Sequence, residues 1–432
     1  MSTHTPQNVF RSRNFRLVFF GALVSELGAV MYSFAVGFYI LQISGNNAVL
    51  QGLYLAACGA ATLLATPLGG VLGDRCRKSA IMSACDYIKG GIILLAGLLL
   101  LLFRAPDAQI LILFVSGVCG GVISGIFSPA SRALLPHIVE EERLQQANAY
   151  FTIKSSLESI LGIVLAGVLY AALPIHLLLV LVGLCYILSG VSEMFIRYAH
   201  TAPKERLTLR LAWRDLRAGV DYLKGRKAIL ALMASTLFIN FFFLPVGSNF
   251  IPYFVRTDIA NAPRYLLDHW LTPELWSSVF TMLIGVSSLI GAAVLSARRQ
   301  REKCGRMISL LLLVIAVIMI GLTFSYWLLI GREASLNVFL VLFSVGCFAI
   351  GFLLTWINIP LSTTLMRIVD RAQLSKVSSI TAMASQGLTP IAAMLAGFAL
   401  QYLGSTGMLA ICTAGLTVTA VCMFFNRHIR EI

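Results

Sequence analysis

Residues 69–86 read GGVLGDRCRKSAIMSACD, and within them one acid and three bases, Asp74, Arg75, Arg77 and Lys78, fall in five consecutive positions. Long apolar runs flank this cluster on both sides, in a chain that is 58% hydrophobic and only 12% charged. The contrast marks a polar turn between two membrane-crossing segments. Runs such as Ile81–Phe103, Leu177–Phe195 and Met307–Leu329 reach the roughly 20 residues that cross a bilayer. Extending the reading to both termini gives about twelve spans, each of which must close its backbone hydrogen bonds within a helix. A mean hydropathy of +0.85 lies far from that of a soluble domain. The expected class is an all-α polytopic membrane protein.

The segment MSTHTPQNVFRSRNFR is polar and basic and leads directly into Leu17–Ile43. That run is too long for the apolar region of a signal peptide and lacks a small-residue cleavage site, so the N-terminus is expected to stay in the cytoplasm. Bases then recur in alternate loops: Arg75, Arg77 and Lys78; Lys204 to Lys227; Arg298 to Arg306; Arg367, Arg371 and Lys376; finally Arg427 and Arg430. The intervening loops carry only Arg104, Arg256, Arg264 and Arg332. This asymmetry places both termini on the cytoplasmic side. The net charge of +14 is therefore read as a topology signal that also touches anionic lipid headgroups, and not as a nucleic-acid footprint.

The nine cysteines lie mostly inside spans, with no CxxC pair and no metal-ligand spacing, so neither disulfides nor a metal site are expected. Without a disulfide framework and with short outer loops, a bacterial inner membrane is the expected location. No nucleotide-binding loop occurs, no soluble segment could hold an ATPase domain, and no cofactor motif appears. The six histidines are scattered without a nearby Ser or Cys partner, which argues against an enzyme.

One long polar interruption, residues 197–227, interleaves Leu207, Leu209, Leu211, Trp213, Leu216, Val220 and Leu223 with bases. From about Leu211 this spacing predicts an amphipathic helix on the membrane surface. It divides the chain into an N-terminal bundle, 1–196, and a C-terminal bundle, 228–432. The halves look related. IVEEERL at Ile138–Leu144 recurs as IVDRAQL at Ile368–Leu374, LAG at Leu165–Gly167 recurs at Leu395–Gly397 with the same offset, and Pro129 and Pro360 precede the first pair. Two similar halves in parallel order suggest a transporter whose site lies between them near the midplane.

Asp74 stands at the cytoplasmic, C-terminal end of the second span, where the helix dipole disfavours a carboxylate unless something positive meets it. Gly69, Gly70 and Gly73 let a neighbouring helix approach. The eleventh span, starting near Ser378, points its N-terminus at the cytoplasm and would meet Asp74. A breakable contact of this kind between the halves is what a gate needs, and Gly70, Asp74, Arg75 and Lys78 are its candidate residues. The alternative is that these bases only fix topology.

GGVLGDRCRK resembles the loop signature of the major facilitator superfamily, although Arg77-Lys78-Ser79 stands where members often have Gly-Arg-Lys. RNFRLVFFGALVSELG, FSPASRALLPHIVEEERLQQAN and NFFFLPVGSNFIPYFV further resemble its drug:proton antiporter branch of macrolide-efflux and enterobactin-export proteins. The resemblance implies twelve helices in two pseudo-symmetric six-helix bundles, with alternating access. It also implies that the first span lines the central cavity and the third packs peripherally. The fifth span has Gly162-Ile163 where many exporters of that branch have Gly-Pro.

Ionisable residues inside spans are functional candidates by default. Glu26 lies roughly 15 Å into the first span at 1.5 Å per residue. It is either a proton carrier or a neutral packing group satisfied by Ser25 or Ser33. Glu158 in the fifth span follows Lys154 by one turn, giving either a local ion pair or a proton site that Lys154 tunes. Asp86 and Lys89 in the third span read as structural, with a spacing that permits self-pairing. Asn240, Phe243, Asn358 and Gln386 are substrate-cavity candidates, each with helix packing as the alternative.

The leading expectation is proton-coupled export of amphipathic small molecules, drugs or siderophore-like metabolites, by a functional monomer. A lipid or lysolipid translocator of the same fold is the alternative. A membrane receptor or intramembrane enzyme would need a sensor domain or paired catalytic groups, and neither is visible.

Overall fold

Apolar segments in lipid can satisfy their backbone groups only by coiling into helices, and this chain does so throughout. A computed structural model describes residues 9–140, 144–198, 226–296, 305–330, 335–368 and 385–430. Positions 199–225 of the expected linker and the segment from near Ser378 to 384 lie outside the described residues. Helix α1 spans Arg13–Ile43, α2 Ala48–Arg75, α3 Lys78–Leu102 and α4 Pro106–Ile138. Helix α5 comprises Leu144–Leu157, a π-helical turn at Glu158–Gly162, and Ile163–Ala172; α6 is Ile175–Met194. Helix α7 starts as Lys227–Pro245 and continues through π-helical turns at Val246–Phe250 and Val255–Ile259, on either side of Ile251–Phe254. Helices α8, α9 and α10 are Pro273–Ser296, Gly305–Leu329 and Leu336–Ile368.

The last apolar stretch, Ser385–Phe425, has 41 residues. At 1.5 Å per residue it would reach about 60 Å, twice the roughly 30 Å of a hydrocarbon core. It does not run straight. Gly404 adopts φ 68° and ψ 179°, a backbone conformation that an L side chain resists, and breaks the stretch into α11 (385–403) and α12 (405–425). Eleven described helices are long and apolar enough to cross a membrane, and this break turns the last into two crossings. The chain is an integral membrane protein of twelve α-helical spans, with no strand among the described residues.

Contacts divide the chain into two compact units: Met1–Tyr39 with Ala57–Leu209, and Ile40–Ala56 with Arg210–Ile432. The end of α1 and the start of α2 thus pack with the second unit. The turn between them uses positive φ at Gly45 and Asn46, and Asn47 caps α2 by accepting a 3.1 Å bond from the Leu50 amide.

In the first unit, α3 and α6 cross so closely that a Cβ at Gly90 would stand 2.9 Å from the Gly183 carbonyl oxygen. Ser83 Oγ donates 2.8 Å across the same crossing to the Gly190 carbonyl. Helices α2 and α4 meet at Gly69, where a Cβ would fall 2.6 Å from Ile126 Cα, the close approach expected of that glycine. The chain leaving α6 is tied back. Arg77 donates to the Ile196 carbonyl (2.8 Å), the Lys78 amide to Tyr198 Oη (2.6 Å), and the Arg197 amide to Asn14 Oδ1 (3.1 Å). A neighbouring apolar cluster of Val9, Phe15, Phe19, Val139 and Ala147 anchors the residues before α1 against α4 and α5.

The second unit is built on rings. Phe250, Phe254, Tyr326, Phe339, Phe343 and Phe280 form a continuous aromatic core, with centroid separations of 4.8 Å for Phe280–Phe343 and 5.3 Å for Phe254–Phe339. Neutral amides join its helices: Asn240 Nδ2 donates to the Ser385 carbonyl (3.0 Å), Asn249 Nδ2 to the Ala393 carbonyl (3.1 Å), and the Ala48 amide to Gln401 Oε1 (3.1 Å).

Candidate functional site: a polar cavity in the first unit

Five helices of the first unit wall a cavity of about 360 Å³. Helix α1 brings Glu26, α3 brings Asp86 and Lys89, and α6 brings Tyr186. Helix α4 contributes Ser124, Ser128 and Ser131, which at i, i+4 and i+7 share one helical face. Thr62 of α2 adds a hydroxyl, while Ile123 and Phe127 keep part of the wall apolar.

Glu26 sits near the middle of the 31-residue α1. The hydroxyl of Ser25 is turned away from it, donating instead to the Ala22 carbonyl at 3.3 Å. Lys89 does not pair with Asp86 as their spacing allowed. Its ammonium donates to Ser124 Oγ at 2.8 Å and lies 4.6 Å from the centre of the Tyr186 ring. The hydroxyl and the ring face compete successfully for it because α4 and α6 present them at the cavity wall. The self-paired reading of Asp86 and Lys89 is therefore corrected: both belong to the cavity. The site offers acids, one base and several hydroxyls, a set that can bind polar groups and exchange protons.

Glu158 and Lys154 form a buried ion pair, Nζ to Oε1 at 2.7 Å, and neither lines this cavity. The pair leads into the π-helical turn at Glu158–Gly162, which ends at the Gly162-Ile163 step that departs from the exporter pattern. The side chains of Gly70, Asp74 and Arg75 lie outside the described residues; Lys78 is buried at the start of α3. In the second unit, Asn240 bonds to Ser385 and Phe243 is half-buried. Asn358 is exposed, as is Gln386, which accepts from Thr389 Oγ1 at 3.2 Å. Phe241 and Phe242 instead line an apolar cavity of about 430 Å³ against α11 and α12. The structure thus brings Glu26 together with Asp86, Lys89, Tyr186 and the α4 serines. Tyr186 and the serine face escaped sequence reasoning, although the serine spacing was a legible signal.

The sequence model of the Major Facilitator Superfamily matches residues 18–388. The MFS-type transporter YkuC of Bacillus subtilis is 22% identical, over 86% of this chain and 82% of its own. Macrolide efflux protein A of Streptococcus pyogenes is 20% identical over 97% of this chain and 98% of its own. Enterobactin exporter EntS of Salmonella typhimurium is 30% identical over 37% of each. Among solved structures, the D-xylose-proton symporter superposes with a TM-score of 0.72 at 12% identity, covering 97% of this chain and 98% of that one.

Proposed function

The chain belongs to the major facilitator superfamily, and from that membership we propose that it is a proton-coupled exporter of amphipathic small molecules, with Glu26 carrying the coupling proton. One observation carries the reading. Glu26 stands at mid-helix on the wall of a polar cavity, with no hydrogen bond among the described residues, whereas Glu158 is already neutralised by Lys154. A carboxyl in that position is free to take a proton from one side and yield it to a bound substrate. The mixed wall, hydroxyls and charges beside Ile123 and Phe127, suits an amphipathic molecule. The names of two relatives, an efflux protein and an exporter, support the outward direction.

In this reading the protein works as a monomer in a bacterial inner membrane with both termini cytoplasmic, and Asp74 belongs to a cytoplasmic gate. Proteoliposomes with an imposed pH gradient test the coupling. Glu26→Gln mimics the protonated acid and is expected to bind substrate yet lose uphill accumulation. Full accumulation by Glu26→Gln with none by Glu158→Gln moves the carrier to α5.

A further inference from the structure

Behind the cavity, in the seam between α3 and α6, stands a carboxyl that the coupling scheme does not use. Glu193, on the last turn of α6, is 0% exposed, and neither of its oxygens has a hydrogen-bond partner. It faces Asp86 of α3, which is 3% exposed and also has an unpartnered oxygen, Oδ2. Two further buried groups converge here: the Ser189 hydroxyl, one turn before Glu193 and beside Asp86, and the Tyr186 hydroxyl on the cavity wall, which has no hydrogen-bond partner among the described residues. The other titratable groups facing the pair are Cys85 and Lys89 of α3 and Glu26 of α1. Lys89, the one base among them, is engaged by Ser124 and the Tyr186 ring.

Glu193 is out of reach of solvent, and Asp86 meets it only where it lines the cavity. Gly90 and Gly183 bring the two backbones together one turn beyond Asp86, and the Ser83–Gly190 bond joins the helices between the levels of Asp86 and Glu193. Two carboxylates facing each other across such a seam repel, and burial desolvates both. A single proton removes one charge and converts the repulsion into a charge-assisted O–H···O hydrogen bond. A metal cation fits poorly, since hard cations take about six or more oxygens, and no group of three His, Cys, Asp or Glu side chains assembles among the described residues.

We propose that Asp86 and Glu193 share one proton and form a second proton-binding site in the first unit, distinct from Glu26. Only Asp86 of the two lines the cavity, so loading and release pass through it. On loading, hydronium in the cavity gives its proton to an Asp86 oxygen and leaves as water, and the new O–H turns to the Glu193 carboxylate. On release that O–H bond breaks and the proton returns to cavity water.

Infrared spectroscopy of the reconstituted full-length protein tests this without any transport step, so it stands or falls separately from the role given to Glu26. The expected result is a C=O band of a protonated carboxyl at neutral pH that survives Glu26→Gln. Glu193→Gln should abolish it, because Asp86 then faces an amide and ionises, and Asp86→Asn should shift it. Absence of the band from the unsubstituted protein overturns the proposal, and that measurement depends on no variant folding. A band that ignores Glu193→Gln overturns it as well, and one that ignores Asp86→Asn assigns the proton to Glu193 alone.

Discussion

The two units answer the same problem, holding helices together in lipid, with different chemistry. The first places Glu26, Asp86, Lys89, Lys154 and Glu158 within its spans and buries Glu193 at the end of α6. The second keeps its charges at span ends among the described residues. Its half-buried acid, Asp258, is met by two hydroxyls, Thr257 at 2.7 Å and Tyr326 at 3.2 Å, and its Arg256 by Glu274 at 3.5 Å. Elsewhere it relies on rings packed mostly edge to face and on Asn-to-carbonyl bonds. Apolar packing and neutral amides are enough to build such a bundle. The charges of the first unit therefore have to be explained by something other than cohesion, and proton exchange is the explanation proposed above.

If that contrast is right, charge removal in the first unit should outweigh amide removal in the second. The largest effect is expected from Lys154→Met, which strands the buried Glu158 carboxylate and should destabilise by about 3–5 kcal/mol. Adding Glu158→Leu should restore most of that loss, because the paired charges roughly cancel their own desolvation. Thermal unfolding in detergent reads both, and a double variant as unstable as the single one would mean that the pair is a cohesive element after all.

An intermediate effect is expected at the α3–α6 crossing. Gly90→Ala should cost about 1–3 kcal/mol through overpacking against the Gly183 carbonyl. Gly91→Ala meets nothing within 4 Å and should be neutral or slightly stabilising. Equal losses at both positions would remove the seam on which the Asp86–Glu193 pair depends.

The smallest effect belongs to the second unit. Asn249→Leu removes one interhelical hydrogen bond and should cost about 0.6–1.7 kcal/mol, while the exposed Asn358→Ala should stay within about 0.5 kcal/mol. Should Asn249→Leu prove costlier than Lys154→Met, the comparison between the units is inverted.

Much of this could be read from one dimension. Span number, the turn around Asp74 and the one-turn pairing of Lys154 with Glu158 follow from hydropathy and helical spacing, which are local properties. The depth of Glu26 followed from counting residues. The company it keeps did not, because Asp86, Lys89 and Tyr186 reach the same cavity only when α3 and α6 pack against each other. Lys89 shows the limit most clearly: its sequence neighbour Asp86 suggested a self-contained pair, yet a serine and a ring from two other helices hold it. Glu193 drew no attention because it closes a span, where an acid normally meets water. Only the tertiary seam buries it. The π-helical turns of α5 and α7 carry no sequence signature beyond Pro245 and Pro252, neither of which can donate a backbone hydrogen bond.

The reversal at Gly404 has a consequence for how the protein enters the membrane. Between α11 and α12 there is no loop to translocate, only a single residue of left-handed backbone in an otherwise apolar chain. Neither helix can be inserted with its connection left waiting in water, so the pair enters as a hairpin and its two crossings are gained or lost together. Gly404 has open space around it, so a side chain there would meet no neighbour. What glycine supplies at this point is the fold-back itself, the step that commits the end of the chain to the same side of the bilayer on which α11 began.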